Sequence, residues 1–203
     1  MNEDSTVEPK TLTVPHITTP ADIAKVPAYA VDIANWPDYP GGPDTSFRIA
    51  TMDDRLLVRF TVQERDPRAV NTEDLQPVWE DSCVEFFCQL PGDERYFNFE
   101  FNSRGACVAS SRLAVNEGVI FCTPAQLASI SREVEIGPDA WSITVGIPLA
   151  LIGAKLGMPL KANFYKCGDK CDVPHFLSWS AIDAPAPAFH LPAFFGTISL
   201  ANF

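Results

Sequence analysis

The stretch Cys83-Val84-Glu85-Phe86-Phe87-Cys88-Gln89-Leu90, the link Pro91-Gly92-Asp93-Glu94, and then Arg95-Tyr96-Phe97-Asn98-Phe99-Glu100-Phe101-Asn102 decide the fold. Successive side chains of a β-strand point to opposite faces, so a period of two marks a strand with one buried face. In the second arm Phe97, Phe99 and Phe101 share one face, and Tyr96, Asn98, Glu100 and Asn102 share the other. In the first arm Val84, Phe86 and Cys88 oppose Glu85, Phe87 and Gln89. The link between the arms is turn-forming by composition, which predicts an antiparallel hairpin.

Outward from this hairpin the same alternation recurs. Phe47 to Ala50 and Arg55 to Gln63 read as a second hairpin across Met52-Asp53-Asp54. Leu56, Val58, Phe60 and Val62 share one face of its second arm; Arg55, Leu57, Arg59 and Thr61 share the other. A further arm, Ala106 to Ser110, continues the meander after Arg104-Gly105. Trp141 to Ile147, Leu160 to Cys167, Phe176 to Ile182 and Phe195 to Leu200 complete the strands. Pro148 to Ala154 reads as one helical turn, with Gly157 ending it. Nothing reads as a βαβ unit, and no repeat or linker divides the chain. The expectation is a polar lead-in over residues 1–16 and, over 17–203, one all-β domain, an antiparallel β-sandwich.

The totals exclude several classes. A chain of 203 residues buries a sizeable core without disulfides or metals. Its net charge of −11 opposes a nucleic-acid backbone, which demands clustered Lys and Arg, and opposes an anionic membrane surface. A neutral ligand such as a sugar, or a cation, is left. No apolar run approaches the ~20 residues of a membrane-spanning helix. The acidic opening Met1-Asn2-Glu3-Asp4 has no basic region followed by an apolar one, so the chain as written is expected in the cytoplasm. Removal of a signal peptide would place it in the periplasm or outside the cell instead. The six cysteines lack the spacing of a disulfide scaffold and read as free, buried thiols.

The polar strand faces carry the chemistry. Glu85 and Gln89 on one arm, and Asn98, Glu100 and Asn102 on the next, project from the side opposite Phe86, Phe97, Phe99 and Phe101. Asn163 and Tyr165 extend that face on a later strand, with Arg59 joining from the 55–63 strand. Carboxylates, amides and a guanidinium suit sugar hydroxyls, each of which donates and accepts. A solvated outer face would show the same alternation. Trp79 and Trp179 are candidate stacking plates, because an indole offers a flat apolar surface to a sugar ring. Core filling is the alternative for both.

Val78-Trp79-Glu80-Asp81-Ser82-Cys83-Val84-Glu85-Phe86-Phe87 resembles the W-x-D-x-x-x-E strand start of the family 9 carbohydrate-binding modules. Tyr96 to Asn102, Asn163 to Asp169, His175 to Ser180 and Phe189 to Gly196 are similar to further segments of that family, so the likeness spans about residues 17–203. The resemblance implies a jelly-roll or immunoglobulin-like sandwich in which two tryptophans clamp a mono- or oligosaccharide while acid and amide side chains hold its hydroxyls. Trp79, Glu85, Trp179 and Asn102 match that pattern, with Asn98 beside them. Structural calcium is a further implication, with Asp53, Asp54 and Asp81 as candidate oxygen ligands. The expected function is non-catalytic carbohydrate binding, without cofactor.

Three alternatives stay open. Glu85 and Glu100 have the residue types of a glycosidase acid pair. Cys167-x3-Cys171-x3-His175, with His190, supplies zinc-type ligands, although structural zinc more often uses paired knuckles. Phe194-Phe195 and the Pro-rich 185–192 segment suit a protein-binding surface.

Overall fold

The computed structural model describes residues 9–201; the start of the expected lead-in lies outside the described residues. The strands are β1 (Thr11–Val14), β2 (Tyr29–Ala30), β3 (Ile33–Ala34), β4 (Thr45–Met52), β5 (Arg55–Val62), β6 (Cys83–Gln89), β7 (Tyr96–Asn102), β8 (Cys107–Arg112) and β9 (Ile120–Phe121). A short helix α1 (Pro124–Ser129) precedes β10 (Ser131–Ile136), β11 (Trp141–Pro148), β12 (Pro159–Cys167), β13 (Phe176–Ser178) and β14 (Gly196–Leu200). One sheet runs β1-β14-β12-β6-β7-β8-β9, with β13 beside β12 and β3 beside β13; the other runs β10-β11-β5-β4-β2. The edge strand β1 runs parallel to β14, and the remaining strand pairs are antiparallel. The chain is a single-domain β-sandwich.

The alternation read from the sequence sets the layers. Phe86, Phe99 and Phe101 of the larger sheet meet Phe47, Phe60, Ile143 and Val145 of the smaller one in the core. Phe47 stacks on Phe164 with ring centroids 3.6 Å apart. Each such side chain contributes roughly 1.5–3 kcal/mol by leaving water. The β6–β7 register pairs Phe86 with Phe99 on the core side, and Glu85 with Glu100 on the other.

Several boundaries differ from expectation for local reasons. The turn after β11 is ended by Gly153, which takes the left-handed conformation at φ 69°, four residues before the expected Gly157. The strand from Phe176 stops at Ser178. Strand β10, Ser-Arg-Glu-Val-Glu-Ile, is charged and largely open to solvent, as suits a sheet edge guarded against further pairing. Helix α1 starts at a capping box in which Thr123 and Gln126 exchange side-chain and backbone hydrogen bonds.

The outer face of the larger sheet is covered. A second apolar cluster joins Cys83 and Phe87 of β6, Tyr96 of β7 and Tyr165 and Cys167 of β12 to Trp36, Val78, Ile182 and Phe189 from the connecting segments. The polar face read from β6, β7 and β12 is therefore buried: Asn98, Asn102 and Asn163 are fully enclosed. That excludes a plain solvated face and positions the site.

Candidate functional site

A cavity of about 790 Å³ opens over this covered face. The strands supply its polar floor: Glu85 from β6, Glu100 from β7, Arg112 from β8 and Cys167 from β12. Trp79, Phe121, Phe176 and Phe189 add aromatic surface, and Asn116, Asp169 and His190 add polar groups.

Trp79 sits on a single 3-10 turn, Val78–Glu80, whose Val78 is buried while the indole is 38% exposed. The backbone fixes that turn: Asp169 N–H donates to Trp79 O at 3.1 Å and Lys170 N–H to Glu80 O at 3.0 Å. A Lys170–Glu80 ion pair at 2.9 Å adds to it. The indole is thus held out by groups that do not depend on it.

Glu100 is oriented from behind. Asn98 donates its amide to Glu100 Oε1 at 2.8 Å. The Asn98 carbonyl in turn accepts from Ser110 Oγ at 2.5 Å and Arg112 Nε at 3.0 Å, which fixes the amide. Arg112 also donates to Val115 O at 2.6 Å, tying the 113–119 segment to the floor. Glu100 Oε2 is buried and has no protein hydrogen-bond partner. A buried polar atom without a partner is costly, and this one lies in the cavity wall.

Burial shifts the ionisable groups. Glu85 is pushed well above the ordinary carboxylate range by burial, with the Cys167 thiol and Glu100 adding to it. Glu100 is raised by burial to about 7, against the opposing pull of Arg112. Asp169 is raised by burial, with Glu80 adding, to about 6. His190 is lowered by burial and Arg112 to about 3, so it is neutral. Tyr96 Oη lies 2.9 Å from His190 Nδ1; with the tyrosine donating, Nε2–H is left as the free donor.

The raised acid at Glu100 makes a stability prediction. Its folded-state value lies above the unfolded one, so its favourable contribution is complete below about 4.5 and is lost as pH rises through about 7. Glu100→Gln, a neutral isostere, should escape that loss. Between pH 5 and pH 8 the variant should gain roughly 2–3 kcal/mol relative to the wild type, the size of the gap between the two values. Urea unfolding at both pH values checks it; equal pH dependence in both proteins would contradict the buried acid.

Of the residues predicted for the site, Trp79, Glu85 and Glu100 come together at the cavity, and Asn98 stands behind Glu100. The others lie elsewhere. Trp179 is 3% exposed, between the sheets, edge-on to Phe164 and Phe47, so it cannot face Trp79 as a second plate. Asn102 bonds to Asp81 and to Asn71 O below the segment before β6. Tyr165 is sealed under Phe189, with rings stacked at 4.1 Å. Arg59 belongs to the other sheet, where it pairs with Glu135 at 2.5 Å. Arg112 was missed because β8 was ended at Ser110; two more residues of the same alternation, opposite Tyr96, put it on the polar face.

The metal candidates are also settled by placement. Asp81 accepts from Val70 N, Asn71 N and the amides of Asn71 and Asn102, with Arg68 3.4 Å away, so its oxygens already serve donors and do not fit calcium. Asp53 and Asp54 lie at the β4–β5 turn and, among the described residues, belong to no group of three His, Cys, Asp or Glu side chains. Cys171, His175 and His190 do not gather with Cys167: His175 Nε2 is 2.7 Å from Lys166 Nζ, and His190 faces Tyr96.

The comparisons agree with this architecture. A structure of a candidate carbohydrate-binding protein from Bacteroides uniformis is 37% identical, covers 95% of this chain and 99% of its own, and superposes with a TM-score of 0.86. Two structures of a family 9 carbohydrate-binding module from Caldicellulosiruptor kristjanssonii, in complex with glucose and with cellotriose, superpose with TM-scores of 0.70 and 0.69 at 13% identity. They cover 96% of this chain, and 97% and 95% of their own. No curated protein matches significantly. The model of carbohydrate-binding family 9 matches residues 15–200, and this chain belongs to that family.

Proposed function

We propose that the cavity holds a saccharide and does not transform it, with Trp79 as the stacking plate and Glu85, Glu100 and Arg112 as the groups that take its hydroxyls. The observation that carries this reading is the buried, unpartnered Glu100 Oε2 in the wall of a cavity that also exposes an indole. A sugar ring matches both at once: its C–H face packs on the indole and a hydroxyl donates to the free oxygen. In place of Trp179, the remaining aromatic surface is that of Phe121, Phe176 and Phe189. The glucose and cellotriose complexes of the Caldicellulosiruptor module support this ligand class.

Catalysis fits the same groups poorly. Glu85 and Glu100 are direct cross-strand partners on one floor, which places both acids on one side of a guest instead of flanking its glycosidic bond. Both are raised by burial, so neither is a ready nucleophile. Calorimetric titration with glucose and cellotriose tests the binding, and saturable heat is expected. Trp79→Ala should weaken it at least about tenfold, roughly 1.4 kcal/mol, with the melting temperature nearly unchanged. No heat with any saccharide from folded protein, or turnover of an aryl glycoside, would overturn the reading.

A further inference from the structure

Three donors converge beneath the cavity from the two middle strands of the larger sheet. Cys83 of β6 and Cys167 of β12 are direct partners in the antiparallel register, and Glu85 follows Cys83 two residues on, on the same face. A sulfur of each cysteine and an oxygen of Glu85 lie within 4.8 Å of one another, all buried. The Cys167 thiol donates to Glu85 Oε1 at 3.1 Å. Among the described residues no other three His, Cys, Asp or Glu side chains come together in this way. The remaining fully packed thiols behave differently: Cys88, Cys107 and Cys122 sit among apolar side chains between the sheets, where a cysteine is a small hydrophobe.

We propose that Cys83, Glu85 and Cys167 form a site for one thiophilic divalent cation of the zinc class, with its fourth position opening into the cavity. Distances fit first. Zinc–sulfur and zinc–oxygen bonds of about 2.3 and 2.1 Å place tetrahedral ligands roughly 3.8 Å apart for two sulfurs and 3.5 Å for sulfur and oxygen. Donors already within 4.8 Å meet that with movements of about 1 Å or less. The ligand set fits next: two thiolates and a carboxylate suit zinc, whereas calcium and magnesium take oxygens. Glu85 and Cys167 reach the cavity wall while Cys83 does not, so three protein ligands leave one open position on that side.

Charge closes the case. As the cation enters, two thiol protons and the Glu85 proton leave to solvent, and three anions surround a charge of +2. Lys166 is the neighbour of Cys167 in β12, and its buried Nζ donates to Cys167 O at 2.8 Å. This inference does not rest on the saccharide reading, although both use Glu85.

The test uses the full chain, purified reduced, stripped with a chelator and titrated with Co²⁺ and then Zn²⁺. One Co²⁺ per chain should bind with a thiolate-to-cobalt charge-transfer band and tetrahedral d–d bands, all bleached by one equivalent of Zn²⁺. Cys83→Ala and Cys167→Ala should each lose the band and weaken zinc at least about tenfold, and Cys171→Ser should keep both. If an alanine variant does not fold, ¹¹³Cd NMR of the wild type decides: a shift for two sulfurs with oxygen supports the site, and an oxygen-only or four-sulfur shift overturns it. Absence of the band from folded wild type, or its survival in the Cys83→Ala/Cys167→Ala double variant, also overturns it.

Discussion

Trp179→Ala should lower the unfolding free energy by about 3–5 kcal/mol and leave the saccharide affinity of the folded molecules unchanged. The indole packs edge-on to Phe164 at 5.6 Å and to Phe47 at 5.9 Å, bridging the two sheets. Its ring also occupies the space where Gly196 would carry a side chain: a Cβ there would come within 2.7 Å of the indole and 2.5 Å of Lys10 O. Truncation therefore empties a volume that neither the aromatic neighbours nor a glycine backbone can refill. For a chain of this size that loss corresponds to a fall in melting temperature of roughly 6–20 °C. Urea unfolding gives the first quantity and calorimetric titration at low temperature the second. The opposite pattern, stability kept and affinity lost, would restore Trp179 to the binding site. Trp79→Ala is the matched control, since the Trp79 turn is held by backbone bonds and the indole is partly open to solvent.

The contrast between these two tryptophans shows where the sequence was legible. Along β6 and β7 one parity is uniformly apolar inward, so facing was readable, and Glu85 and Glu100 fell where the alternation put them. In Phe176-Leu177-Ser178-Trp179 both parities begin with a large apolar residue. The structure sends Leu177 and Trp179 into the core and leaves Phe176 at the cavity, a choice that the period of two does not encode. Arg59 failed for a different reason. Its face was read correctly as opposite Phe60, but which sheet a strand joins depends on long-range pairing, and β5 joined β4 and β11. Asp169, Phe189 and His190 come from irregular segments with no period, and only the folded connections bring them over β6 and β7. Asn102 had the right face and a structural task, because the loop above it carries an acid that claims its amide.

That acid gives the second large effect: Asp81→Ala should cost about 3–5 kcal/mol and abolish saccharide binding as well. Asp81 is fully buried just before β6 and gathers Val70 N–H, Asn71 N–H and the amides of Asn71 and Asn102 around one carboxylate, with Arg68 at 3.4 Å. Alanine leaves those donors buried without their acceptor, a heavier penalty than the loss of one exposed ion pair. Ser82 N–H, bonded to Arg68 O, ties the same segment to the start of β6. Trp79 lies between these anchors, so loosening them moves the indole that we propose as the stacking plate. The acid response should change in parallel. Burial acts to raise Asp81, but the N–H groups of Asn71 and Val70 and the two side-chain amides outweigh it and hold the acid below its ordinary 3.8. A lowered acid stabilises the fold above 3.8 and gives that up as pH falls through its folded value, the reverse of Glu100. Wild type should therefore lose stability from both sides: below pH 4 through Asp81 together with Asp74, Asp22 and Glu135, and as pH rises above about 4.5 through Glu100 together with Asp169 and Glu85. Urea unfolding across pH 2–8 should show Asp81→Ala with a shallower acid limb, the remainder belonging to Asp74, Asp22 and Glu135, which are also held low; an unchanged acid limb would mean that those carboxylates carry it without Asp81.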